Sequence, residues 1–260
     1  MPAESCAGEE PGCVDDALGV AARAGGEGVG VGHAWIVCRG TGTPGGSYVS
    51  RFFKPRGRPP PYRRGMSENS IADLLKAATT HAVPVVRAIP DGSLTDPTPC
   101  AEYDVKALVN HLFQVTVQFQ ALAAKQNSDF GGETPDAVAE GPDWRDRFAE
   151  EAGKLVAAWS APGADEGTTG AMDMPARTVG CMALLDLTVH AWDLARATGQ
   201  EYEAAPESSG VVPALREAVA GLGPTARKMG VFGEPVAVPE GASELERLLA
   251  ETGRDPRWTP

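Results

Sequence analysis

The chain has 260 residues, 42% of them hydrophobic, which is enough to bury a substantial core in one or two domains. Its formal net charge of −12 is unevenly spread: residues 1–65 hold eight Lys/Arg and six Asp/Glu, whereas residues 66–260 hold fifteen and twenty-nine. Phosphate binding requires clustered Lys and Arg, so this acidic body argues against nucleic acid as the main partner.

The sequence also argues against a membrane protein. It has no run of eighteen apolar residues and no basic start followed by an apolar stretch, which predicts a cytoplasmic protein without a membrane span or a signal peptide. Five cysteines form an odd number without a closely spaced pair. Reduced thiols are therefore expected.

The sequence predicts a disordered extension over residues 1–65 and a helical body over residues 66–260. Gly and Pro fill 21 of the first 65 positions, and no apolar period lasts there. The alternative is a metal site in this segment, although the spacing of its candidate ligands fits no familiar zinc pattern. Those ligands are Cys6, Cys13, His33 and Cys38. Met66 opens the helical body, so an over-long start is another explanation of the extension.

Apolar residues at three- and four-residue spacing predict two helices in the first part of the body. The first spans residues 70–89 and contains Pro84, so a kink or break is expected near His81, which should be partly exposed. The second begins at the capping residue Asp104 and runs to Lys125.

Two further helices follow after polar loops. The third opens at Pro142 and carries large apolar residues as far as Trp159, and the fourth is the segment Cys181–Gln200, with a stop at Gly199. Strand signals are few. The pattern predicts an all-α protein whose four principal helices form an antiparallel bundle.

The remaining C-terminal residues predict a layer added to this bundle. Residues Glu207–Leu222 read as a fifth helix, and Met229–Pro239 as an extended or hairpin-like piece. Ser243 with Glu246 fits a capping box for a last short helix that stops at Gly253.

The candidate functional residues lie on the second and fourth helices. Asp186 and His190 stand four apart, so they project from the same face of the fourth helix, among apolar neighbours. His111 borders the apolar stripe of the second helix. Bundles build metal sites from facing helices, and three protein ligands leave a position open for water or substrate, as in catalytic zinc sites. The alternative is a buried hydrogen bond between Asp186 and His190 with no metal.

Two segments carry a family resemblance. TPCAEYDVKALVNHL (Thr98–Leu112) and HAWDLARATGQ (His190–Gln200), with the ending FGEPVAVPEGASELERLLAETGRDPRWTP, resemble the actinobacterial metal-binding branch of the DinB/YfiT-like superfamily. That branch is related to the N-terminal domain of mycothiol-dependent maleylpyruvate isomerase. The likeness covers residues 70–260.

The resemblance implies a four-helix bundle that binds a divalent metal through His111, Asp186 and His190. Zinc is the first candidate, with Ni, Fe or Mn as alternatives. Related sequences carry Glu or His where this chain has Asp186, and Trp where it has Tyr103. Asp193 belongs to the family's WD pair and is expected either to orient a ligand or to hydrogen-bond a loop.

The leading functional hypothesis is a metal-dependent transferase or isomerase acting on a small-molecule substrate, with a low-molecular-weight thiol such as mycothiol as cosubstrate. No general base or other catalytic residue is evident from the sequence. The alternative is a non-catalytic binding or structural bundle with a vestigial metal site. The superfamily implies a homodimer.

Overall fold

The structure, a computed structural model, describes residues 69–130 and 132–260. The α-helices and β-strands there are α1 Ile71–Arg87, α2 Val105–Ala123, α3 Trp144–Trp159, β1 Thr168–Thr169, β2 Met174–Pro175, α4 Ala176–Ala197, α5 Val211–Lys228 and α6 Glu244–Glu251. The predicted all-α class is confirmed. The predicted disorder and the cysteine–histidine site of residues 1–65 lie outside the described residues, and the division into 1–65 and 66–260 stays a prediction.

The first four helices enclose the main core. Both α1 and α2 pack against α3 and against α4. The apolar stripes predicted on α2 and α3 are buried, at Leu108, Leu112, Val115, Phe119 and Leu122 on α2 and at Trp144, Phe148, Leu155 and Trp159 on α3. Helix α5 packs on α4, and α6 on α5, so the C-terminal helices form the expected added layer. The antiparallel bundle arrangement stays a prediction.

Helix α1 continues through Pro84, so the predicted break near His81 is wrong, and the alternative of a kink there stays a prediction. Proline removes one backbone hydrogen bond, but the turn around it buries Ala82, Val85 and Val86, and this packing offsets the lost bond. His81 is partly exposed, as predicted.

Helix α4 begins at Ala176, before the predicted start at Cys181. Within this helix, Gly180 allows α1 and α4 to approach closely, because a Cβ there would lie 2.6 Å from Ile71 Cγ2. The predicted stop is confirmed, because Gly199 has a φ of 67° just beyond the C-cap Thr198.

Two smaller predictions need correction. The loop before α4 contains an antiparallel hairpin of β1 and β2, too short to leave a sequence pattern. The segment Met229–Pro239 contains no strand, so a hairpin there is wrong, while the alternative of an extended segment stays a prediction. Its Val236 N–H donates to the carbonyl of Ala250 at 3.0 Å. The capping box of Ser243 and Glu246 is confirmed at the start of α6. Among the described residues, no helix is both long and apolar enough to cross a membrane.

Candidate metal centre

The structure brings the three predicted ligand residues together between α2 and α4. His111, Asp186 and His190 are each at most 1% exposed, and one ligand atom of each lies within 4.8 Å of the other two. The imidazole rings of His111 and His190 are nearly perpendicular, with centroids 5.1 Å apart.

Local structure explains why these side chains meet. The Asp104 carboxylate accepts a hydrogen bond from the Ala107 N–H at 2.7 Å and fixes the start of α2, two turns before His111. On α4, a spacing of four residues puts Asp186 and His190 on one face. That helix is packed by α1, α2 and α5, so its polar groups are buried together with its apolar ones.

Asp186 and His190 do not satisfy each other. The distance from His190 Nε2 to Asp186 Oδ1 is 3.8 Å, too long for a hydrogen bond. Of the eight buried side-chain N and O atoms that lack a hydrogen-bond partner within the described part of the chain, four belong to this cluster: His111 Nε2, His190 Nε2, and Asp186 Oδ1 and Oδ2. The alternative of a simple Asp186–His190 hydrogen bond is therefore wrong.

The other nitrogen of His190 is held by a second carboxylate. His190 Nδ1 lies 2.9 Å from Asp193 Oδ2, and the Arg254 guanidinium contacts both oxygens of Asp193, at 3.1 Å from Nη2 and 3.4 Å from Nε. All three residues are at most 1% exposed. Asp193 thus orients the candidate ligand and also binds a C-terminal residue.

This arrangement selects one tautomer of His190. Burial alone would raise the pKa of Asp193, but the charge of Arg254 and the hydrogen bonds from His190 and Arg254 hold that pKa below its usual range. An ionised carboxylate only accepts hydrogen bonds, so Nδ1 carries the proton. Burial lowers the pKa of His190, with Asp193 opposing, and the neutral ring therefore keeps a free lone pair on Nε2, facing Asp186.

Burial shifts the pKa values of His111 and Asp186 in opposite directions. It lowers the pKa of His111 well below its usual value, helped by His190 and Arg254, so the ring is neutral. It raises the pKa of Asp186 well above its usual value, against the charge of Arg254. A neutral imidazole is ready to bind a metal, whereas the Asp186 carboxyl needs a nearby positive charge in order to ionise.

Two residues of the loop before α2 border the cluster of His111, Asp186 and His190. The half-buried ring of Tyr103 stacks on His111, with centroids 5.3 Å apart. Cys100 is fully buried beside His190 and Asp193, as expected from packing. Cys181 is free and buried, as expected.

The donor set fits a divalent metal ion. Two imidazole nitrogens and a carboxylate suit Zn²⁺ and also Fe(II), Ni(II) or Mn(II). Ligands of a tetrahedral ion with bonds of 2.0–2.1 Å stand about 3.4 Å apart. The 3.8 Å between His190 Nε2 and Asp186 Oδ1 approaches this separation, and four of the eight buried atoms that lack a partner in the described residues belong to the proposed ligands. A second grouping, Cys100 with His190 and Asp193, fits less well, because the last two residues already bond each other.

Arg254 is the site residue that sequence reasoning missed. An arginine near the end of a chain is usually solvent-exposed, and nothing in its spacing indicates a contact with α4. Its burial depends on how residues 229–260 pack on the rest of the protein, which the sequence pattern does not define.

Comparisons with known proteins agree with this description. A family model described as the mycothiol maleylpyruvate isomerase N-terminal domain matches residues 75–195. Two uncharacterized proteins of Mycobacterium tuberculosis, from strains CDC 1551 / Oshkosh and ATCC 25618 / H37Rv, are each 30% identical over 169 residues, covering 63% of this chain and 86% of theirs. No solved structure matches. The chain belongs to the family of the mycothiol maleylpyruvate isomerase N-terminal domain, a metal-binding family.

Proposed function

We propose that this protein binds one divalent metal ion through His111 Nε2, His190 Nε2 and the Asp186 carboxylate. The observation that carries the proposal is the convergence of four buried polar atoms that have no partner in the described residues. Each buried polar group without a partner costs on the order of 1–3 kcal/mol. A cation among them would satisfy all three side chains at once.

More specifically, we propose that the protein is a metal-dependent transferase or isomerase of the cytoplasm. It would use a low-molecular-weight thiol of the mycothiol type as cosubstrate. This proposal is supported by the family and by the three-ligand site, which leaves a coordination position for another molecule. A bound divalent metal lowers the pKa of a thiol placed beside it and so provides a thiolate near neutral pH. The substrate is a small electrophilic molecule.

The residues of this chain have separate roles in the proposal. His111, Asp186 and His190 bind, Asp193 orients His190, and Tyr103 covers one face of His111. Burial, followed by the charges of Glu102 and Asp186, raises the pKa of Tyr103, so its hydroxyl stays protonated and serves as a hydrogen-bond donor rather than a base.

Cobalt-loaded protein provides a test of the thiol proposal. We expect that adding a small thiol to the parent protein produces a thiolate-to-metal charge-transfer band, and that the corresponding alcohol does not. The double variant His111→Ala with His190→Ala should show no band while keeping its helical circular dichroism. A parent that binds cobalt but gives no band with any thiol contradicts the thiol proposal and favours a non-catalytic bundle.

A further inference from the structure

A residue from the C-terminal layer completes the candidate metal centre. Arg254 follows α6 and lies beyond the family match, which ends at residue 195. Its side chain is 1% exposed and reaches α4, where it contacts Asp193.

Arg254 contacts Asp193 through two hydrogen bonds. Arg254 Nη2 donates to Asp193 Oδ2 at 3.1 Å, and Nε donates to Oδ1 at 3.4 Å. A planar guanidinium that contacts both oxygens fixes the plane of the carboxylate, which a lysine ammonium cannot do. Because Oδ2 also accepts from His190 Nδ1, the orientation of the carboxylate determines the orientation of the imidazole ring.

The C-terminal layer in turn holds Arg254. The Arg254 N–H donates to the carbonyl of Leu249 at 3.0 Å, and Nη1 donates to that of Thr252 at 3.3 Å. Gly253 is packed against Gly233, where an added Cβ would lie 2.6 Å from the Gly233 Cα, so the two backbone segments cross in close contact. The backbone around Arg254 is thereby fixed within the C-terminal layer.

We propose that Arg254 is a positioning residue of the metal centre. Acting through Asp193, it holds the His190 ring with Nδ1–H toward Asp193 and Nε2 toward His111 and Asp186. This inference rests on the proposed metal binding, and it makes the C-terminal layer a part of the site rather than a separate appendage.

The test uses the full chain and three variants. Arg254→Met removes the charge and the donors, and Arg254→Lys keeps the charge but not the two-point contact. Arg227→Met is the matched control, because Arg227 donates to the carbonyl of Glu251 at 3.0 Å and so also fixes the end of α6, without contacting Asp193. Circular dichroism identifies the variants that fold.

The first readout is zinc affinity, measured by competition with a chromophoric chelator. Loss of an outer partner of a ligand histidine weakens metal binding about 10- to 100-fold. We expect a loss of this size in Arg254→Met, a smaller loss in Arg254→Lys, and affinity within about twofold of the parent in Arg227→Met. Because removing one member of a buried ion pair is destabilising, Arg254→Lys decides the outcome if the Met variant does not fold.

The second readout is the tautomer of His190 in the metal-free protein, from nitrogen-15 spectra of its ring. The chain has four histidines, and the His190→Ala variant identifies the His190 signals. We expect the Nδ1–H form in the parent and in Arg227→Met, and a reduced fraction of it in the Arg254 variants. Parent-like zinc affinity and parent-like ring signals in a folded Arg254 variant would overturn the inference. A parent that binds no zinc would refute the proposed function, while the ring signals would still test the role of Arg254.

Discussion

Two aspartates on α4 show how strongly surroundings decide the chemistry of a residue. Asp186 and Asp193 are both fully buried, yet burial leaves the pKa of Asp186 raised, whereas Arg254 and His190 outweigh burial at Asp193 and lower its pKa. Asp193 is therefore a stable anion within the protein. The Asp186 carboxyl ionises only when a further cation binds beside it, which is the behaviour expected of a metal ligand.

The raised pKa of Asp186 makes the metal-free protein pH-sensitive. A carboxyl whose pKa is higher in the folded than in the unfolded state contributes stability below its unfolded value, near 3.8, and loses that contribution as the pH rises through its folded value. We therefore expect metal-free Asp186→Asn to be more stable than the metal-free parent at pH 8, with the difference shrinking toward pH 4. Urea unfolding at several pH values measures this, and parallel pH profiles of the two proteins would contradict it.

At the scale of single residues, the sequence predicted which side chains cluster between α2 and α4. Helical spacing indicated Asp186, His190 and His111, and the family resemblance, rather than spacing alone, implied that they bind a metal. Asp193 was expected either to orient a ligand or to hydrogen-bond a loop. Arg254 could not be predicted, since its contact with Asp193 joins positions sixty-one residues apart in sequence.

At the scale of helices, a single glycine sets the contact between α1 and α4. The position of Gly180 leaves no room for a methyl group, with Ile71 Cγ2 at 2.6 Å and Trp159 Cζ3 at 3.1 Å from an added Cβ. Because Ile71 is branched at Cβ and fully buried, it cannot move aside easily.

We expect Gly180→Ala to lower the free energy of unfolding by up to about 2 kcal/mol, since overpacking costs about 1–3 kcal/mol and the higher helix propensity of alanine offsets about 1 kcal/mol of that cost. The matched control is Gly153→Ala, in the interior of α3, where an added Cβ meets nothing within 4 Å. That variant should be more stable than the parent by up to about 1 kcal/mol. Urea unfolding compares the two, and a Gly180→Ala protein as stable as Gly153→Ala would contradict the close packing.

Helix positions were predictable where periodicity and capping agree, as at Asp104 and Ser243, whose side chains both accept backbone hydrogen bonds. Prediction failed where packing outweighs a local signal. Pro84 predicts a kink or break in sequence, yet it lies inside a helix whose buried face stabilises it.

At the scale of the whole molecule, metal binding is expected to stabilise the folded state. A ligand that binds only the folded state at one hundred times its dissociation constant adds about 2.7 kcal/mol of stability. For a domain of this size we expect zinc to raise the melting temperature of the metal-free protein by about 5–10 °C. Thermal unfolding with zinc and with a chelator measures the shift. A similar shift in the double variant His111→Ala with His190→Ala would show that zinc acts elsewhere.

The central claim is that His111, Asp186 and His190 together hold one divalent ion. The most direct measurement is metal content by mass spectrometry on protein purified without a metal-affinity tag, beside His190→Ala and the control His81→Ala, which removes a partly exposed histidine outside the cluster. We predict about one equivalent in the parent and in His81→Ala, and none in His190→Ala. No metal in the parent, even after zinc or nickel is added, would contradict the claim.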